Sequence, residues 1–426
     1  MEAYLDNAAT TRAAESVVKV MDEVLEKDFG NPSSKHIKGV DAERYIRDAA
    51  EKIAATLKCD AKEIVFTSGG TEANNMALIG AALANRREGM TIITTAFEHA
   101  SVYNPILFLE EMGFTVKFAP VDEMGHVKLD ELLELVDDDT ILVSVMKVNN
   151  EIGSVVDVKQ ISDAVKKKKP DVIVHVDAIQ AYGKMSVIPK REGIDLMSVS
   201  AHKFHGPKGC GFLYVRKGVK IKPLIYGGGQ QGGMRSGTEN VPAIAGLGVA
   251  AQYMCSHIAE NSLHMYRLKQ RFIEGVEEIE GTTVNAVLPK EQRNCGCEEN
   301  EKSGGSLGAK PACDTGAEGT QSADDIPAWI GSTAPHIVSV SFAGIDRSEV
   351  LLHALEEKGV YVSSGSACSS NHPGISGTLK AIGVDKSLLN STLRFSFCDE
   401  TTREEIDYAL ECLGELLPVL RKFKRR

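Results

Sequence analysis

From Glu63 to Val215 short apolar runs recur along the chain, each closed by polar or small residues. Runs of this length bounded by turn residues read as buried strands. They fall at Glu63–Thr67, Thr91–Thr95, Thr115–Ala119, Ile141–Val148, Val172–Asp177, Leu196–Ser200 and Phe212–Val215. Between several of them apolar residues return at helical spacing, over Glu72–Asn85, Ser101–Met112, Leu129–Val136 and Val158–Lys168. Two further helical patterns, Ser16–Lys27 and Asp41–Lys58, flank a Gly-Asn-Pro-Ser-Ser loop at Gly30–Ser34. The alternation predicts an α/β fold, a mainly parallel sheet covered by helices on both faces. In such sheets ligands bind beyond the carboxyl ends of the strands.

After Val241 the pattern changes. Val241–Glu280 is one long helical stretch, which suits a bridge to a second, smaller α+β domain. Residues 289–335 are rich in Gly, Ser, Asp and Glu and hold Cys295, Cys297 and Cys313. That composition predicts a flexible insertion. The three cysteines lack the paired C-x-x-C spacing of a zinc site, so no metal is expected. Order resumes at His336–Phe342, Ser348–Lys358, Leu393–Phe397 and Thr402–Phe423, with a Gly- and Ser-rich loop from Ser363 to Ser370. The expected division is a large domain over 15–258 and a small one from 1–14 with 259–426. A cysteine-bearing loop is expected at 363–375.

Composition narrows the function. Of 426 residues, 43% are hydrophobic and 25% charged, as in an ordinary globular chain. A net charge of -11 argues against a nucleic-acid groove. No apolar run is long enough to span a bilayer, and the first residues show no basic or apolar leader pattern. Nine cysteines at uneven spacing fit a reducing compartment, so a cytoplasmic location is the expectation.

The candidate chemistry sits at strand ends. Lys203 follows the strand Leu196–Ser200 and enters a turn built from Gly206, Pro207, Gly209 and Gly211. A partly buried lysine there is placed to form a Schiff base with a carbonyl compound, though a surface lysine in a Gly-rich turn has the same pattern. Thr67–Asn75 joins a strand to a helix through Gly69 and Gly70, which suits a phosphate cradle or an ordinary capped helix. Asp177 could hold a protonated ring nitrogen or serve as a helix cap. His99 could stack on a cofactor ring or pack as a core histidine. Asn150, in Val148–Gly153, offers an amide for a phenolic oxygen. Cys368 lies among small polar residues rather than apolar ones, the setting of a reactive thiol.

Together these segments resemble the cysteine desulfurases of the class V aminotransferase family, which are pyridoxal-phosphate enzymes of fold type I. The resemblance runs through Tyr4–Thr11, Gly30–His36, Ser68–Asn75, Val148–Gly153, His175–Gln180, Ser198–Gly211, Gly232–Asn240 and Ser363–Ser370. It implies that Lys203 carries pyridoxal 5'-phosphate as a Schiff base and that Gly70, Thr71, Ser200 and His202 hold its phosphate. Asp177 would pair with the ring nitrogen, Gln180 and Asn150 with the ring oxygen, and His99 would stack on the ring. Arg394, with Asn150, would bind the carboxylate side of L-cysteine. Cys368 would accept sulfur as a persulfide for an acceptor protein in iron–sulfur cluster assembly or tRNA thiolation. Thr238 would reach the phosphate in a neighbouring subunit, which implies a homodimer. A selenocysteine lyase, another class V enzyme, or a catalytically dead scaffold are the competing readings. The intact set Lys203, Asp177, His99, Arg394 and Cys368 argues against the scaffold.

Overall fold

The computed structural model describes residues 1–293, 326–364 and 376–422; Cys295, Cys297, Cys313 and Cys368 lie outside them. The chain opens with a short strand, β1 (Ala3–Tyr4), and two helices, α1 (Glu15–Glu26) and α2 (Ile37–Leu57). Strands and helices then alternate: β2 (Ile64–Thr67), α3 (Gly70–Asn85), β3 (Thr91–Thr95), α4 (Ala100–Glu111), β4 (Thr115–Ala119), α5 (Leu129–Leu135), β5 (Thr140–Met146), α6 (Val158–Lys168) and β6 (Ile173–Asp177). The short helix α7 (Pro189–Glu192) leads to β7 (Leu196–Ser200) and β8 (Gly211–Val215). These strands form one sheet in the order β2-β8-β7-β6-β5-β3-β4. β8 runs antiparallel to β2 and β7, and every other pair is parallel. The expected mainly parallel sheet is therefore present.

Side chains alternate across this sheet, as the strand repeat requires. Phe66, Ile93, Val145, Val176 and Val199 pack in a core shared with α2 and α6. Val65, Ile92, Leu142, Ile173 and Leu196 face the other way, against α3 and α4. Further along, the α3 side turns polar. His175 of β6 bonds Ser144 of β5 through Nδ1 (2.8 Å) and Ser198 of β7 through Nε2 (3.0 Å). Burial pushes this imidazole down to about 3, so it is neutral at physiological pH. Asp177 lies two residues further along the same face, so the polar row leads to the strand end.

The second core is built by α9 (Ile258–Glu277), β9 (Thr282–Val284), β10 (Ile337–Phe342), α11 (Ser348–Glu357), β11 (Val360–Tyr361), β12 (Thr392–Ser396) and α13 (Arg403–Leu420). Its three-stranded antiparallel sheet has the order β12-β10-β9. The long helical stretch expected over Val241–Glu280 is two helices, α8 (Val241–Ser256) and α9, bent by 73° at His257. Tertiary packing makes the break. A Cβ on Gly248 would come within 2.8 Å of the Ala49 side chain, so α8 lies close against α2. α9 instead buries Leu268, Phe272 and Ile273 in the second core. Among the described residues no single helix is long and apolar enough to cross a membrane.

The edges of the stretch expected as an insertion have regular structure. Arg293 stacks over Trp329 at 3.8 Å and pairs with Glu277 at 2.6 Å. α10 (Ala328–Gly331) follows, and Ile330, Thr333 and Ala334 are buried. Lys269, buried in α9, donates to Thr333 Oγ1 (2.6 Å), Ala334 O (2.8 Å) and Ile337 O (2.9 Å). Residues 294–325, the remainder of that stretch, are outside the described ones.

The amino-terminal arm joins the two cores. Ala3 pairs with Val360, and Asn7 Nδ2 donates to Ser396 O (3.1 Å). Leu5 belongs to the second core and Ala8 to the first. Thr11 N then donates to His202 O (2.8 Å), fastening the arm to the turn that carries Lys203.

Candidate active site

Five strand ends converge on one edge of the large sheet. Ser200 ends β7, and a 3-10 turn, Ala201–Lys203, projects Lys203 from it. Lys203 Nζ donates to Ala8 O (2.8 Å) and Ala9 O (2.7 Å) of the arm. His202 Nδ1 lies 3.2 Å from Thr10 Oγ1. Burial, then the Lys203 charge, pushes the His202 imidazole down to about 4, leaving it neutral.

β2 leads through Gly69 into α3, which starts without a side-chain cap. A Cβ on Gly70 would lie 2.2 Å from Ile179 Cδ1 and 3.3 Å from Ser200 Cβ, so the helix start is tucked against β7. Gly69 has φ +148°, a conformation that side-chain-bearing residues rarely adopt. First-turn N–H groups with no cap, beside a serine and a neutral histidine, are donors suited to a phosphate. Thr71 is exposed at this end. Thr238 is exposed too, on the loop after Arg235, whose guanidinium pairs with Glu72 of α3 at 2.9 Å.

Asp177 ends β6 and is buried. Its carboxylate accepts from Asn74 Nδ2 (2.8 Å) and Ile179 N (3.0 Å). Burial raises its pKa, against those bonds and the lowering influence of His99 and Lys203. A buried carboxylate so arranged gains most from a cationic N–H, such as a protonated ring nitrogen. Asn74 also donates to Ser101 Oγ (2.9 Å), which lies 2.8 Å from His99 Nδ1. A polar chain thus runs from Asp177 through Asn74 and Ser101 to His99, the N-cap of α4. Gln180 Nε2 donates to Ala8 O (2.9 Å) and keeps a second N–H; its Oε1 accepts from His336 Nε2 (3.2 Å).

Arg394 of β12 comes in from the second core and is buried. It pairs with Asp6 (2.8 Å) and donates to Asn150 O (2.8 Å), while its Nε is buried with no acceptor among the described residues. That fixes the guanidinium beside the β5 turn with a donor to spare for a carboxylate. The adjacent Glu151 accepts from Ser376 Oγ (2.6 Å), the N-cap of α12 (Gly377–Ala381), and from Thr378 Oγ1 (3.0 Å) within it. Ser363 exchanges backbone hydrogen bonds with Arg394 (3.2 and 2.7 Å). Both described flanks of the segment that carries Cys368 are therefore attached at this site, although Cys368 itself lies outside the described residues.

Sequence reasoning brings Lys203, Asp177, Gln180, Asn150, His99, Gly70, Ser200, His202 and Arg394 to one region, and the structure places them there. It missed Asn74, Glu98 and Glu151. Glu98 accepts from Thr95 and from Met146 N (2.9 Å), tying β3 to β5. Burial and then the Asp177 charge push its carboxyl up to about 8. Asn74 was legible only as an amide among Ala73, Met76 and Ala77 on a buried helix face. A buried amide demands partners, but the sequence does not say which.

This chain belongs to the aminotransferase class-V family, whose model matches residues 3–298 and 321–409. Members of the family use pyridoxal 5'-phosphate, and the phosphate donors, buried carboxylate and lysine fit that cofactor. Among its relatives, the cysteine desulfurase IscS of Methanosarcina thermophila is 39% identical over 98% of this chain and 92% of its own length. A solved NifS-like protein matches with a TM-score of 0.84 and 37% identity over 99% of this chain and all of its own (100%). A third protein, SspA, solved in complex with cysteine, has a TM-score of 0.73 and 29% identity over 94% of this chain and 100% of that one.

Proposed function

We propose that the protein is a cysteine desulfurase. The observation that carries this reading is the meeting of Lys203, Asp177 and Arg394 with both flanks of the segment bearing Cys368. When bound, pyridoxal 5'-phosphate supplies an aldehyde for an amine and a ring that accepts electron density. The first-turn N–H groups of α3, with Thr71, Ser200 and His202, hold the phosphate. Asp177 keeps a proton on the ring nitrogen, while Gln180 and Asn150 donate to the ring oxygen. Arg394 orients the L-cysteine carboxylate. Lys203, as a free amine, takes the proton from the substrate Cα. Cys368, as a thiolate, attacks the substrate sulfur, and His99 moves the thiol protons. The substrate C–S bond breaks and an S–S bond forms. L-cysteine and one enzyme thiol give L-alanine and one enzyme persulfide, with no outside oxidant or reductant. The persulfide sulfur passes to an acceptor protein, an iron–sulfur scaffold or a tRNA-thiolation partner. Purified protein loaded with cofactor and given L-cysteine and dithiothreitol is expected to release alanine and sulfide in equal amounts. Absence of alanine would overturn the reading.

The reading includes a homodimer in which Thr238 of each copy completes the other's phosphate site. Exposed Leu25 of α1, Phe29 of the loop after it, and Ile37 and Val40 of α2 supply apolar surface for a second copy. Light scattering on the purified chain is expected to give twice the 45.9 kDa monomer mass. A monomeric mass removes the dimer.

A further inference from the structure

Lys184 lies in the segment after β6, which follows directly on Asp177 and carries Gln180 near its start. It is 2% exposed, and its Nζ donates to the Lys203 carbonyl at 2.6 Å. That carbonyl ends the 3-10 turn, where backbone acceptors lack a partner within the turn itself. A buried ammonium ordinarily uses all three N–H groups, as Lys269 does with its three acceptors. Lys184 has the Lys203 carbonyl as its one acceptor among the described residues.

Charged groups of both signs bear on the amine. Lys203 faces it from the turn, together with His202. His336, just before β10, is buried, and burial followed by the charges of Lys184, Lys269 and Arg394 pushes its imidazole well down, so it adds no charge. Cys398 and Asp399 face it from the loop after β12. Asp399 is already paired with His205 at 2.8 Å. Burial first, and Lys203 second, push the Lys184 amine down to about 7.

We propose that Lys184 is a positioning residue for Lys203: it ties the Lys203 turn to the Asp177 segment and sets a second titrating amine against the reactive one. The proposal rests on Lys203 being the amine that holds the cofactor. A proton on Lys184 disfavours a proton on the neighbouring nitrogen, so the reactive nitrogen loses its proton at a lower pH than it would alone. The hydrogen bond also fixes the backbone from which the Lys203 side chain reaches the ring. One amine therefore adjusts both the proton affinity and the placement of the other.

The test is an absorbance titration of the bound-cofactor band in the wild-type holoenzyme, in Lys184→Met and in Lys184→Gln, with cofactor affinity measured by equilibrium dialysis. Both variants remove the charge, so the band midpoint is expected to rise by about 0.5–1 pH unit in each. Methionine also removes the donor, so affinity for pyridoxal 5'-phosphate falls roughly tenfold, while glutamine recovers part of that loss. If the methionine variant does not fold, the glutamine variant still reports the midpoint. A Lys203-dependent band whose midpoint stays put in the folded variants overturns the proposal alone. A band that survives Lys203→Ala overturns the placing of the cofactor on Lys203, and the proposal with it.

Discussion

A Lys203→Ala variant is expected to lose the bound-cofactor absorbance band and to make alanine from L-cysteine at least about a thousandfold more slowly than wild type. The side chain has two jobs in the proposed reaction, to hold the coenzyme and to take the Cα proton, and alanine can do neither. Its geometry suits both. Held by the Ala8 and Ala9 carbonyls, Nζ is kept at the edge of the sheet beside Asp177 rather than in solvent. Removing the amine leaves those two carbonyls without its hydrogen bonds, so the arm loosens and melting shifts by a few degrees without loss of the fold. Far-ultraviolet circular dichroism separates the outcomes. A folded variant that keeps more than a tenth of wild-type alanine formation would remove Lys203 from the chemistry.

Replacing Cys368 with alanine is expected to be nearly as damaging to turnover and harmless to the cofactor. Alanine production from L-cysteine falls by about two to three orders of magnitude, because the substrate sulfur has no thiolate to receive it. The absorbance band stays, and adding L-cysteine still perturbs it, since Lys203, Asp177 and Arg394 are untouched. The split between an intact spectrum and lost turnover distinguishes a sulfur acceptor from a residue that supports the fold. Wild-type rates of alanine formation in Cys368→Ala under reducing conditions would assign the acceptor role elsewhere. Cys210, Cys398 and Cys412 are poor substitutes, since each is buried.

Much of the large sheet was legible because its strands are short apolar runs cut off by turn residues. β3, β4 and β7 begin and end where the pattern places them. The residues at those ends were legible for the same reason, since polar groups after a buried strand mark the edge where ligands bind. What escaped depends on distant partners. β1 and β11 are two residues each and exist only because they pair with one another across most of the chain. The break at His257 has no proline or glycine beside it; two separate cores pull its flanking helices apart. Lys184 sits in Gly-Lys-Met, which as sequence is a solvated lysine. Only folding sets it beneath the Lys203 carbonyl, where burial changes its acidity. The family resemblance points to Arg394 as a carboxylate clamp, but the aspartate that aims it, Asp6, lies 388 residues away.

The amino-terminal arm has a consequence for biosynthesis. Its first residues leave the ribosome long before their mates: Asn7 waits for Ser396, 389 positions later, and Thr11 for His202, 191 positions later. Closing so large a loop carries an entropic cost that is recovered only once the far segment has folded. The carbonyls that receive Lys203 are therefore seated at the end of assembly, and a truncated nascent chain has no complete pocket in which to retain a reactive aldehyde.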